Sequence, residues 1–270
     1  MGKKRLKFNG SNGNAENGKN GNIEKTDKML PVKQEITIEP KSENQKLLIQ
    51  SIKDNIVTIV KGPAGTGKTL ISVVCGLVDF IDGKYKKMIF TRPCVEANGE
   101  NLGFLPGDLN EKIQPYMYPI FNFLGEYLTP QKIKGYMQAD EIITLPLAYQ
   151  RGITFTDSFV LLEEMQNTTV EQVRMFLTRI GENCKVVLTG DPNQSDIRGT
   201  NGLIDACERL SGVEGLGIIE FTEEDIFRSK IVKDIEERYV REKKIENQIE
   251  SKKIENKIVG KKVLEQKIRI

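Results

Sequence analysis

At 270 residues and a net charge of +2, the chain is long enough to bury a core but too near neutral for charge alone to argue for a nucleic-acid or membrane-surface partner. The absence of histidine removes His-dependent triads, His general bases and His-ligated metals. Four scattered cysteines (Cys75, Cys94, Cys184 and Cys207) form no Cys-x-x-Cys pair, which argues against a zinc ribbon and for reduced, intracellular thiols. No apolar run reaches the roughly 18 residues of a spanning helix, and the basic N-terminus leads into no apolar signal region, so a soluble cytoplasmic protein is expected.

Residues 1–40 open with Lys and Arg and pass into an Asn/Gly-rich tract with almost nothing to bury, so disorder is expected there. The leader reads either as a solvated tail or as a basic arm for nucleic acid. Order is predicted to begin near Ser42, where Ser42-Glu43-Asn44-Gln45 has a capping-box pattern and Leu48, Ile49 and Ile52 mark an apolar helix face. Gln45 sits in the first turn. Its amide can both donate to and accept from an adenine edge, or it is an ordinary cap residue.

Ile56 to Val60 is a β-branched run of strand type, and it leads into Gly62-Pro63-Ala64-Gly65-Thr66-Gly67-Lys68-Thr69. A glycine, four residues, then Gly-Lys-Thr is the spacing of the phosphate-binding P-loop. The glycines let successive N–H groups turn toward an anion. Lys68 would place an ammonium between the β- and γ-phosphates of a nucleoside triphosphate, and Thr69 a hydroxyl on Mg²⁺. Thr69 to Val78 follows with helical spacing, aiming a helix N-terminus at phosphate.

Lys87 to Thr91 reads as a second strand ending at Arg92-Pro93, and Leu109 to Leu128 as a helix. Its aromatic residues Tyr116, Tyr118, Phe121, Phe123 and Tyr127 are expected in the core, with base stacking as the alternative. Ile142 to Leu145 is a short strand, followed by Pro146 and then Arg151-Gly152. Phe159 to Leu162 is an apolar strand ending in Glu163-Glu164. Paired acids at a strand end are what a P-loop enzyme needs opposite its loop, with Glu163 on the metal side and Glu164 as the base that orients or deprotonates water.

Val170 to Ile180 has helical periodicity, and Cys184 to Leu188 is a buried strand running into Thr189-Gly190-Asp191-Pro192-Asn193-Gln194. Parallel sheets carry their chemistry at such strand ends, so Thr189 and Gln194 are candidates to contact the γ-phosphate or the attacking water, while Asp191-Pro192 is also a plain turn signal. Leu203 to Leu210 reads as a helix, Leu216 to Phe221 as a last strand and Ile231 to Tyr239 as a last helix. Arg228, in the loop before that helix, is either a surface residue or an arginine that compensates charge on the γ-phosphate. Beyond Val240 an imperfect nine-residue repeat of Lys, Glu, Ile and Asn gives no single apolar stripe, and it reads as a charged tail. The expected organisation is a tail over 1–40, one P-loop ATPase domain over 41–240 and a tail over 241–270.

Taken together these residues resemble the PhoH family of ATPases, relatives of superfamily-one helicase motor cores. The likeness runs from about Glu39 to Tyr239 and rests on the P-loop, Thr91-Arg92-Pro93, Gly103-Phe104-Leu105-Pro106-Gly107, Arg151-Gly152, the paired acids with Gln166-Asn167-Thr168-Thr169, and Leu188 to Gln194. The resemblance implies a three-layer α/β/α RecA-like fold with a mainly parallel sheet, Mg²⁺-dependent ATP hydrolysis, and a link to single-stranded RNA or DNA. It also implies Gln45 as an adenine contact, Gln194 as a γ-phosphate sensor, and Arg228 as an arginine finger. That finger would be offered to a neighbouring subunit in a homo-oligomer, a ring such as a hexamer, or a dimer. The family usually has Asp-Glu where this chain has Glu163-Glu164, and the added methylene is expected to slow turnover, because Mg²⁺ demands near-octahedral ligands. The 40-residue leader is too short and polar to be the ribonuclease domain that some relatives carry. A nucleotide-switched assembly module with little turnover is the alternative reading. A small-molecule kinase ranks behind both.

Overall fold

The computed structural model describes residues 36–93, 109–197 and 199–229, together with positions 231, 232, 235 and 238; within 109–115 only the backbone is described. The tail over 241–270, residues 1–35 of the leader and the Gly103–Gly107 motif lie outside the described residues. The chain divides into two compact units, Met1–Ile226 and Phe227–Ile270.

The described residues of the first unit hold six strands: β1 (Val57–Lys61), β2 (Lys87–Arg92), β3 (Ile142–Pro146), β4 (Ser158–Leu162), β5 (Cys184–Gly190) and β6 (Leu216–Glu220). They form one sheet in the order β3-β2-β4-β5-β1-β6, and every pairing is parallel. Central strands of such a sheet are covered on both faces, which explains runs such as Phe159-Val160-Leu161-Leu162 with no polar residue among them. Alternate side chains separate into two cores. Met88, Phe90, Phe159, Leu161 and Val187 pack with Leu48, Ile49 and Ile52 of α1 (Glu43–Asp54), with Val73 and Leu77 of α2 (Lys68–Ile81), and with Ile120 and Leu124 of α3 (Leu109–Tyr127). On the other face, Ile59, Ile89, Val160, Leu162, Val186 and Leu188 pack with Val173 and Phe176 of α5 (Val170–Leu177) and with Leu203 and Ala206 of α6 (Gly202–Arg209). The result is the expected three-layer α/β/α arrangement. With β5 placed between the P-loop strand β1 and the acid-bearing strand β4, the order is RecA-like.

Three local features differ from the sequence-based expectation. A helix α4 (Pro130–Gln138) follows α3; Thr129 caps it by accepting from Lys132 N–H, and Pro130 starts it. The Thr-Pro pair was its signal. The capping box at α1 forms by half: Ser42 Oγ accepts from Gln45 N–H at 3.3 Å, but the Gln45 side chain reaches elsewhere. Among the aromatic residues of α3, Phe121, Phe123 and Tyr127 pack on the core, whereas Tyr118 is exposed.

Gly76 in α2 shows how closely the layers meet, because a Cβ there would lie 2.4 Å from the Phe159 ring. Gly76→Ala should therefore destabilise the fold by about 1–3 kcal/mol through overpacking, despite the gain in helix propensity. Gly135→Ala in α4, where an added Cβ meets nothing within 4 Å, should instead stabilise it slightly. Thermal melts followed by circular dichroism distinguish the two.

Candidate nucleotide-binding site

The P-loop spans the gap between β1 and α2. Gly62 N–H donates to Gly190 O at 3.1 Å, which ties the loop's first residue to the end of β5. A Cβ at Gly62 would lie 2.5 Å from the Phe221 carbonyl oxygen, so only glycine fits there. Gly67 adopts φ +88° as the N-cap of α2 and supplies no side-chain cap. The first N–H groups of a fourteen-residue helix are thus left for an anion, the physical requirement of a phosphate site.

Lys68 is buried, and its ammonium donates to Gly62 O at 2.7 Å and to Pro63 O at 2.6 Å. Thr66 Oγ1 donates to Pro63 O at 2.9 Å. Gln45 braces the same loop from α1: Nε2 donates to Thr66 O at 2.8 Å and Oε1 accepts from Lys41 N–H at 2.7 Å. One donor and one acceptor of the amide are therefore engaged within the protein, out of its two donors and two acceptor sites.

The paired acids separate into two environments. Glu163 is buried, its side chain hydrogen-bonds Thr69, and its Oε2 has no protein partner. Burial pushes its carboxyl above the usual range against the opposing pull of the Thr69 hydroxyl and of Arg92. A carboxylate and a hydroxyl brought together at the start of α2, with one buried oxygen left over, suit a hard cation that takes its remaining ligands from phosphate and water. Glu163 and Thr69 therefore fit Mg²⁺.

Glu164 turns the other way. Its backbone is left-handed, at φ 55° and ψ 41°, a conformation that costs a non-glycine residue on the order of 1 kcal/mol and clusters at functional sites. Its Oε1 lies 3.3 Å from Arg92 Nη2, and its Oε2 accepts from Gln166 Nε2.

Three residues of the site were not singled out as such from the sequence. Gln166 Oε1 accepts from Asp191 N–H at 3.0 Å, so one buried amide bridges the ends of β4 and β5. Asp191, read from sequence as a turn former, is buried, and its carboxylate accepts from Ala64 N–H at 3.2 Å and from Asn193 N–H at 3.0 Å. Arg92, at the end of β2, holds Glu164 and also donates to Tyr116 O at 3.2 Å. Each was visible only as part of a motif, because its partner lies far away in sequence.

Thr189 is buried in β5, and Gln194 ends a single 3-10 turn, Pro192–Gln194, with an exposed side chain. Arg228 falls in the second unit, where it is partly buried. No helix among the described residues is long and apolar enough to cross a membrane.

The strand order, the loop that needs glycine, the uncapped helix and the two acids at the end of β4 define a P-loop NTPase core. The chain belongs to the PhoH-like protein family, whose model matches residues 37–240. It is 44% identical over 207 residues to a PhoH-like protein of Mycobacterium bovis, covering 76% of this chain and 58% of the relative. To a PhoH-like protein of Bacillus subtilis it is 43% identical over 205 residues, covering 75% and 64%. The chain thus spans about three fifths of the length of these relatives. Among solved structures, the large terminase of a thermophilic bacteriophage aligns at TM-score 0.47 and 13% identity, over 73% of this chain and 50% of that one.

The raised Glu163 carboxyl sets a pH dependence. A folded-state pKa above the unfolded one means that the folded protein holds the proton more tightly, so stability present below the ordinary pKa is lost as pH rises through the folded one. Glu163→Gln removes the charge and with it that loss. In chelator, the variant should melt close to wild type at acid pH and above it at neutral pH, in a series of thermal melts.

Proposed function

We propose that the chain is a Mg²⁺-dependent ATPase that acts with single-stranded RNA or DNA in the cytoplasm, built on one domain over residues 41–240. The observation that carries the reading is the meeting of Glu163 with Thr69 while Glu164, one residue on, is held by Gln166, whose amide reaches across to Asp191 at the end of β5. The P-loop N–H groups and Lys68 hold the phosphates, Thr69 and Glu163 hold the cation, and Gln45 meets the adenine. Bound Mg²⁺ would offset charge on the β- and γ-phosphates. Glu164 takes a proton from water as the water oxygen bonds to the γ-phosphorus and the bond from γ-phosphorus to the bridging oxygen breaks, leaving ADP and inorganic phosphate. Gln194, exposed on the turn after β5, orients that water or senses the γ-phosphate.

A homo-oligomer, either a ring such as a hexamer or a dimer, lets Arg228 of one copy reach the γ-phosphate bound by its neighbour. Light scattering alongside hydrolysis assays tests this, since a monomer hydrolysing at full rate removes that role from Arg228.

The low-turnover alternative draws on one observation: Glu163, a methylene longer than the aspartate expected from the family likeness, already hydrogen-bonds Thr69. Its support disappears if Glu163→Asp leaves the rate unchanged.

Lys68→Ala and Glu164→Gln should each lower ATP turnover about 100-fold or more, the usual scale for losing a charge stabiliser or a general base. Glu164→Gln should retain nucleotide binding in a fluorescent-nucleotide titration, whereas Lys68→Ala should lose it. Wild-type turnover no higher than that of Lys68→Ala would refute the ATPase reading.

A further inference from the structure

Two motifs of the sequence, Thr91-Arg92-Pro93 and Arg151-Gly152, are distant along the chain, yet the sheet brings the first beside the strand that leads into the second. The parallel register places Arg92 of β2 opposite Pro146 of β3. Pro146 leads directly into the turn Leu147–Gln150, followed by Arg151 and by Gly152 at φ +89°. On this turn Tyr149 is 56% exposed and Ile153 37% exposed, and the Arg151 side chain is also exposed. An open aromatic ring two residues from an open guanidinium is the pairing that stacks a base and holds its phosphate. The same edge of the sheet carries Glu164.

Both oxygens of the Glu164 carboxylate are already engaged, Oε1 by Arg92 at 3.3 Å and Oε2 by Gln166. Its side chain is 33% exposed and that of Arg92 is 27% exposed, so an incoming anion can reach the guanidinium without opening the core. We propose that Arg92 is a latch: it holds Glu164 idle, and a phosphodiester of a single strand lying over Tyr149 and Arg151 competes for it and frees the Glu164 carboxylate. RNA and DNA share that phosphodiester. The inference rests on the ATPase reading for its effect on rate, but its binding half stands apart from it. If a polynucleotide and Glu164 compete for one guanidinium, removing the charge of Glu164 must strengthen polynucleotide binding, by reciprocity.

The test uses the full chain in two assays, each with oligouridylate and with oligothymidylate at low salt. In the first, ATP turnover, Arg92→Ala should raise the rate without polynucleotide about threefold, the scale of a partly exposed ion pair, and flatten the stimulation seen in wild type. In the second, fluorescence anisotropy of labelled oligonucleotide on nucleotide-free protein, Glu164→Gln should tighten binding about threefold. The tightening should vanish in the Arg92→Ala, Glu164→Gln double variant, and Tyr149→Ala should weaken binding. The oligonucleotide that shows the larger response identifies the natural strand. The latch is overturned if Arg92→Ala lowers the polynucleotide-free rate or leaves it unchanged. It is also overturned if neither oligonucleotide binds, or if Glu164→Gln leaves their affinity as it was. Should wild type fail to hydrolyse ATP at all, the ATPase reading falls, while the anisotropy arm, which involves no hydrolysis, still decides the latch.

Discussion

All six strands run in one direction, and the rest of the structure depends on that constraint. Parallel pairing puts the carboxyl ends of β1, β2, β4 and β5 on a single edge, so the P-loop, Arg92, the paired acids and Asp191 meet there though they are scattered from position 62 to 191. It also demands that the central strands be buried on both faces, which is why α1, α2 and α3 lie on one side and α5 and α6 on the other. The core's rigidity and the site's convergence have the same origin. A close-packed contact such as Gly76 against Phe159 fixes the start of the acid-bearing strand relative to the P-loop helix.

Within that edge the polar groups form a chain rather than a set of independent contacts. The carboxylate of Glu164 leads to the amide of Gln166, that amide to the backbone of Asp191, and the carboxylate of Asp191 to the P-loop at Ala64. Each link has one donor and one acceptor committed, so displacing one shifts the demands on the next. Gly190 makes the approach of Gln166 to β5 feasible, because a Cβ there would lie 2.8 Å from Gln166 Oε1. The left-handed backbone at Glu164 belongs to the same set: it turns the second acid away from the first and lets two adjacent carboxylates occupy different surroundings.

Most of the fold was legible because its signals are local. Apolar runs marked the six described strands, helical spacing marked five of the six α-helices described in the first unit, and the P-loop marked the carboxyl edge of the sheet. α4 escaped because its apolar stripe is short and only half-buried: Ile133, Tyr136 and Met137 rest against the core without being enclosed by it, and the Thr129-Pro130 start signal was the other cue to find. In the site, Lys68, Thr69, Glu163 and Glu164 could be read because each belongs to a spacing pattern. Arg92, Gln166 and Asp191 could not be assigned roles, since those depend on partners 72, 25 and 127 positions away. Gln45 shows a further limit. Its place in a capping pattern was readable, but whether its amide would serve the helix or the loop depends on a fold in which Thr66 comes within reach.

The posture of Lys68 has a consequence for how this protein's ligand affinity is to be understood. Its ammonium is already satisfied by the carbonyls of Gly62 and Pro63. Any other acceptor must therefore compete with two short hydrogen bonds, so what the ammonium adds to a ligand's binding is the difference between the bonds it gains and the two it gives up.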